Sequence, residues 1–174
     1  MQKNGVAVGR PAHPKNRVGL PTHHKDNSMI LSVCVNLKEI DNRGRGFKWP
    51  KPCHCPRCCS VRIWGHGYVL ANFDGFPGSL WLRRYRCPDC HCIIRMKPEG
   101  YFQRFQASTA IIVHCLRKRL STGRWNAGLS TSRQRHWLAA LKRNTMAFFG
   151  FDDDWFVAFF RLQAMGQTPV SRAI

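Results

Sequence analysis

Two stretches decide the reading of this chain: CPRCCSVRIWGHG at 55–67 and LRRYRCPDCHCIIRM at 82–96. Each holds a Cys-Pro-x-Cys knuckle, Cys55-Pro56-Arg57-Cys58 and Cys87-Pro88-Asp89-Cys90, separated by residues 59–86. A two-residue gap lets both thiolates of a knuckle approach one ion while local amides turn toward sulfur, and the proline helps fix that turn. Cys55, Cys58, Cys87 and Cys90 are therefore the expected ligands of one structural Zn2+. Four thiolates leave no coordination position for water, so no catalytic residue is expected here. A ribbon this small lacks a core of its own, and metal binding supplies much of its folding free energy, about 10–16 kcal/mol for structural sites.

Cys53, His54 and Cys59 crowd the first knuckle, and His91 and Cys92 follow the second. Two alternatives stay open on spacing alone. Cys53 can replace Cys55, or Cys53, Cys59, His91 and Cys92 can hold a second ion. The simpler expectation leaves them as bystanders, with Cys59 at a turn position that suits glycine and His66 at a strand end.

Strands frame the knuckles. SLWLRRYR (79–86) alternates, IIRM (93–96) is apolar, and VRIW (61–64) is a short strand with Gly65 and Gly67 as a turn after it; NFDGFPG (72–78) is a loop by composition. Upstream, MILSVCVNLKEI (29–40) reads as a strand with Cys34 buried in it, and 42–52 as a linker. Residues 1–28 read as a flexible basic tail, or as the product of a start assigned too early, since Met29 opens the first patterned segment.

From about residue 101 the apolar period changes from two to 3.6. Ile112, Val113, Leu116 and Leu120 line one helical face, and Gly123 is the stop. A short helix over Trp125–Ala127 and a third over 132–144 follow. Thr131 and Gln134 have capping-box spacing. Asp152 to Asp154 open a last helix ending at Gly166, where acids favour the positive end. The expected architecture is thus α+β. It has a tail (1–28), a strand and linker (29–52), a small β zinc ribbon (53–98), a helix-turn-helix segment (101–166) and a tail (167–174).

Charge bounds the partner. The 174 residues carry 28 Lys and Arg against 9 Asp and Glu, a formal +19. Such a surplus points to a polyanion, most often nucleic acid, the alternative being a soluble basic surface or a ribosome-like packing role. Tyr101 to Phe149 hold nine Lys and Arg and no acid. In a helix-turn-helix the second helix lies in the major groove with its N-terminal residues at base edges. Here those are Ser132, Arg133, Gln134, Arg135 and His136, with Arg117, Arg124, Lys142 and Arg143 on phosphates. The aromatics Trp137, Phe148, Phe149, Phe151, Trp155, Phe156, Phe159 and Phe160 exceed what one helix face buries, which suggests a homodimer or a protein partner through the last helix.

Nine cysteines without a secretory signal point to a reducing compartment, where Cys-x-x-Cys means metal rather than a disulfide. No apolar run is long enough to span a membrane; Met146 to Leu162 is broken by the Asp triplet. The expected location is the cytoplasm.

The motif run as a whole, followed by a basic helical segment, resembles the zinc ribbon at the front of bacterial insertion-sequence proteins. Those read Cys-Pro-x-Cys-Gly-Ser, Gly, Arg-Tyr-x-Cys-x-x-Cys, Thr-Phe, then a helix-turn-helix. The likeness covers about residues 50–145. Cys59 and His91 depart from it, and Ile93-Ile94 stand in place of Thr-Phe. The resemblance implies a transposase or a short companion of one. Transposase chemistry needs three separated carboxylates for two metal ions. After the ribbon this chain offers Glu99 and the Asp triplet, which reads as a helix start, so strand transfer is not expected. The function implied is zinc-dependent binding of double-stranded DNA, to recognise element ends or regulate transposition. The alternatives are a protein- or RNA-interaction module, or a truncated transposase without its catalytic part.

Overall fold

The computed structural model describes residues 28–150 and 154–172. The expectations for the basic tail, Phe151, Asp152 and Asp153 therefore lie outside the described residues, apart from Ser28. The architecture is α+β: a four-stranded sheet with a short helix on it, then three helices. The strands are β1 (Ser28–Val33), β2 (Trp64–Ala71), β3 (Leu80–Arg86) and β4 (Ile93–Pro98). Their order is β1-β4-β3-β2. The ribbon proper is the antiparallel set β2-β3-β4, and β1 lies parallel to β4 with Ser28 opposite Ile93 and Val33 opposite Pro98.

The upstream segment differs from the expectation of a single strand over 29–40. The strand stops at Val33, and Leu37–Arg43 forms helix α1. Asn36 caps it, its side chain accepting from the Lys38 amide at 2.9 Å, and Gly44 ends it with φ +52°. A parallel β1–β4 pair needs a crossover, and α1 lies on that path. Ile40 is fully buried, and within 42–52 Trp49 is buried in the same core with Phe47 packed against it, so the linker is anchored at those two residues. Cys34 is exposed, not buried, because β1 ends before it.

Gly65 and Gly67 lie inside β2 rather than in a turn after it. The register shifts between Gly65 and Tyr68, a bulge that Gly67 accommodates at φ +74°. A side chain at Gly65 would collide with the Arg83 guanidinium, which lies 4.7 Å over the Tyr68 ring.

The ribbon core comprises Ile40, Ile63, Phe73, Leu80, Leu82, Tyr85, Ile94 and Met96, with Cys55, Cys87 and Cys92 at one end. A second core forms around Ile112, Leu116, Trp137, Leu141, Phe159 and Leu162 on α2 (Thr109–Thr122), α3 (Thr131–Phe149) and α4 (Trp155–Ala164). Ser108 caps α2 through its hydroxyl to the Ile111 amide, and Gly123 stops it at φ +70°. Asp154 caps α4, accepting from Phe156 and Val157 amides at 2.8 and 3.1 Å. Residues 167–172 are not a loose tail: Val170 is fully buried, and the Asn144 side chain donates to Pro169 and Ser171 carbonyls.

Trp125–Ala127 is not helical. The whole span between α2 and α3, residues 123–130, is a loop, longer than the three- or four-residue turn of a helix-turn-helix. Gln134 holds it. Its amide nitrogen donates to the Asn126 and Leu129 carbonyls at 2.7 and 2.9 Å, and its oxygen accepts from the Asn126 amide at 3.0 Å. The residue is fully buried, so it forms no capping box with Thr131, and Ser130 is the N-cap. Replacing Gln134 with Ala leaves three part-buried backbone hydrogen bonds unmade. We expect a loss of about 2–3 kcal/mol in urea unfolding with metal content unchanged; an unaltered midpoint would contradict the assigned role.

Candidate metal centre

Both knuckles lie at the same end of the sheet. The first precedes β2, the second joins β3 to β4, and Trp64 opposite Arg86 brings the two ends together. The local backbone is repeated almost identically. The Cys55 amide donates to the Ser60 carbonyl at 2.7 Å, and the Cys87 amide to the Cys92 carbonyl at 3.0 Å. Four residues after the first cysteine of each knuckle the chain turns left-handed, at Cys59 (φ +59°) and His91 (φ +58°). Those are the two positions where glycine suits the turn, and L-residues there are strained.

The turns aim four sulfurs at one point. Sγ of Cys55, Cys58, Cys87 and Cys90 all lie within 4.8 Å of one another. Cys55–Cys90 is 3.6 Å and Cys58–Cys87 is 3.5 Å. Thiolates bound tetrahedrally at about 2.3 Å from zinc stand about 3.8 Å apart. These residues therefore fit one four-coordinate metal ion. The Arg57 amide points at Cys55 Sγ from 3.5 Å, the amide-to-sulfur contact that the short gap favours.

The electrostatics call for a cation. At Cys55 burial opposes ionisation, yet amide hydrogen bonds from Arg57 and Cys58, with sulfur neighbours, bring the thiol down to about 7. The Cys87 thiol is lowered chiefly by the Cys90 amide. At Cys58 the Ser60 amide favours the thiolate, but the sulfurs of Cys90, Cys87 and Cys55 push the thiol up to about 12. Four negative sulfurs at this distance repel one another, and a metal ion between them removes that conflict. Asp89 joins the knuckles from outside, accepting from Ser60 Oγ and pairing with Arg62. That exposed pair orients the loops more than it stabilises them.

The neighbouring candidates fall away from this centre. Cys53 and Cys59 are exposed, and Cys92 is buried in the core, where burial raises its thiol. His91 meets Arg86 instead, its Nδ1 3.2 Å from the guanidinium. Among the described residues no second metal cluster forms, and Cys53 does not replace Cys55. No helix of the described residues is long and apolar enough to cross a membrane.

The proposed base-reading residues are not all free. Ser132 and Arg135 are exposed, and His136 is half-buried. Arg133 is bound to Asp74 at 2.8 Å and lies 5.0 Å over Trp137, tying α3 to the loop before β3. Gln134 is withdrawn into the loop contact. Of the expected phosphate contacts, Arg124 and Arg143 are exposed, Arg117 stacks 5.2 Å over Phe156, and Lys142 stands 5.5 Å over Trp155. Sequence reading assigned no role to Arg95 and Lys97, because strand alternation tells which face a residue takes but not what lies over it.

No protein-family model, no curated protein and no solved structure matches this chain.

Two substitution sets test the centre. Cys58→Ser or Cys90→Ser should abolish bound metal and unfold the ribbon, seen by elemental analysis and circular dichroism, while Cys34→Ser and Cys53→Ser should change neither. Equal loss from all four would break the assignment. Cys59→Gly should raise stability by about 1 kcal/mol by releasing the left-handed strain; a drop would mean that the Cys59 side chain contributes to the site.

Proposed function

We propose that this protein binds double-stranded DNA on a scaffold held together by one structural Zn2+. All-sulfur, four-coordinate geometry suits zinc, and its closed shell argues for structure over catalysis. The observation that carries the reading is the charge of α2, α3 and their flanks. Nine Lys and Arg between Tyr101 and Phe149 face no acid in that segment. Asp74 and Asp89 elsewhere are already committed to Arg133 and Arg62. A surface of one sign attracts phosphates and releases counterions on binding.

Arg135 and Ser132, exposed near the start of α3, are the base-edge candidates. Arg117, Arg124, Lys142 and Arg143 position the duplex. Arg133 and Gln134 support the fold. Assignment to a mobile element, recognising its ends or regulating its movement, rests on the resemblance of the ribbon to insertion-sequence proteins. Action at the nucleoid in the cytoplasm follows from that assignment.

A second reading, an interaction module, draws on α4. Val157, Phe160 and Met165 are about half exposed along it and just beyond it, a surface suited to a second copy or a transposase partner.

Selection of duplexes from a random pool by the zinc-loaded full chain should enrich a motif. Arg135→Ala should relax preference at one position, at a cost of about 1–3 kcal/mol. Arg143→Ala should weaken all duplexes alike and lower the salt slope by about one. If neither substitution changes binding, the DNA reading fails; a partner complex that survives high salt would favour the interaction module.

A further inference from the structure

The sheet face opposite α1 carries a cluster of cations that the metal centre and the helices leave unexplained. Arg84 on β3 stands directly opposite Arg95 on β4, and Lys97 follows Arg95 on the same face. Like charges directly across a strand pair are unfavourable. No described acid is ion-paired with any of the three, and Arg84 Nε is buried without a hydrogen-bond partner. Lys97 is nearly buried, and its ammonium donates to the Phe102 carbonyl. Burial, then the neighbouring Arg95, lowers its pKa to about 8.

A cleft of about 700 Å³ opens over this face, roofed by residues 103–106. Arg95, Lys97 and Arg104 line it together with Asn72, Gln103 and Gln106. Arg104 holds a left-handed backbone, φ +63°, in the roof. No Asp or Glu is among the lining residues, and Asp74, next to the lining Phe73, is taken by Arg133. Three cationic residues, three amide-bearing residues and no acid among those lining the cleft make an environment suited to an oxyanion. Guanidinium groups bind phosphate bidentately, and a lysine adds a point charge.

We infer that this cleft between the sheet and the 103–106 segment is a phosphate-binding site, filled by a phosphodiester of bound DNA. The site itself stands apart from the DNA reading above; only the source of the phosphate rests on it. The cleft extends the contact from the helices onto the ribbon and makes the junction of the two cores part of the binding surface.

The test uses the zinc-loaded full chain with two probes, a mixed-sequence DNA duplex and inorganic pyrophosphate alone. The variants are Arg95→Gln and Arg104→Gly, with Lys38→Gln on α1 as the control on the opposite face. Arg104→Gly removes a cation while relieving the left-handed strain, so it should fold at least as well as the parent, checked by zinc content and melting. The expected result is that each variant weakens duplex binding on the order of tenfold and lowers the salt slope by about one. Lys38→Gln should change neither, and pyrophosphate should shift the Lys97 side-chain resonance. Unchanged duplex binding in both variants together with an unmoved Lys97 signal overturns the site. A Lys97 shift by pyrophosphate, lost in the two variants while duplex binding is indifferent to them, supports the phosphate site and assigns it to a free phosphate compound. If the chain binds no DNA at all, only the pyrophosphate arm decides the site, and the DNA reading falls separately.

Discussion

Four sulfurs from two distant hairpin tips converge within 4.8 Å of one another, and the ribbon depends on that convergence. The two knuckles, one before β2 and one after β3, meet at the same end of the sheet, and each is a tight turn with its own left-handed residue. A cation between the thiolates converts mutual repulsion into a cross-link. The closed knuckles fix the end of the sheet, and the sheet gives α1 a surface to pack on. The helical core meets the ribbon through Arg133 and Asp74, so the metal end and the basic end are mechanically joined.

Charge is distributed with the same economy. The sequence is strongly basic, and two of the acids in the described residues serve as internal ties, Asp89 across the knuckles and Asp74 across the junction. Several arginines lie over aromatic rings: Arg45 over Trp81, Arg83 over Tyr68, Arg119 over Trp125. Such stacking holds guanidinium groups at the surface without neutralising them. The result is a rigid presentation of positive charge, which suits a polyanion.

What the sequence made legible was local. Cys55, Cys58, Cys87 and Cys90 were readable because ligand spacing is a short-range pattern. β3 was readable from alternation, β4 from its short apolar run, and α2 and α3 from their period. What was not legible depends on contacts far along the chain. The parallel pairing of β1 with β4 leaves no periodic trace, and α1 hid in an apolar run whose one clue was Asn36 as a cap. Gln134 sits where a capping residue would, but a loop folded over it and made it a buried polar anchor. Arg133 read as a base contact; its partner, Asp74, lies in a loop of the ribbon. Gly65 and Gly67 signalled a break in regular structure, and a bulge meets that signal as well as a turn does.

X-ray absorption on the purified full chain, combined with metal quantification, addresses the cross-link itself. The account predicts one zinc per chain with four sulfur neighbours at about 2.3 Å and no nitrogen or oxygen in the coordination shell. A substoichiometric metal content, or a shell with fewer than four sulfurs completed by histidine or water, would contradict it.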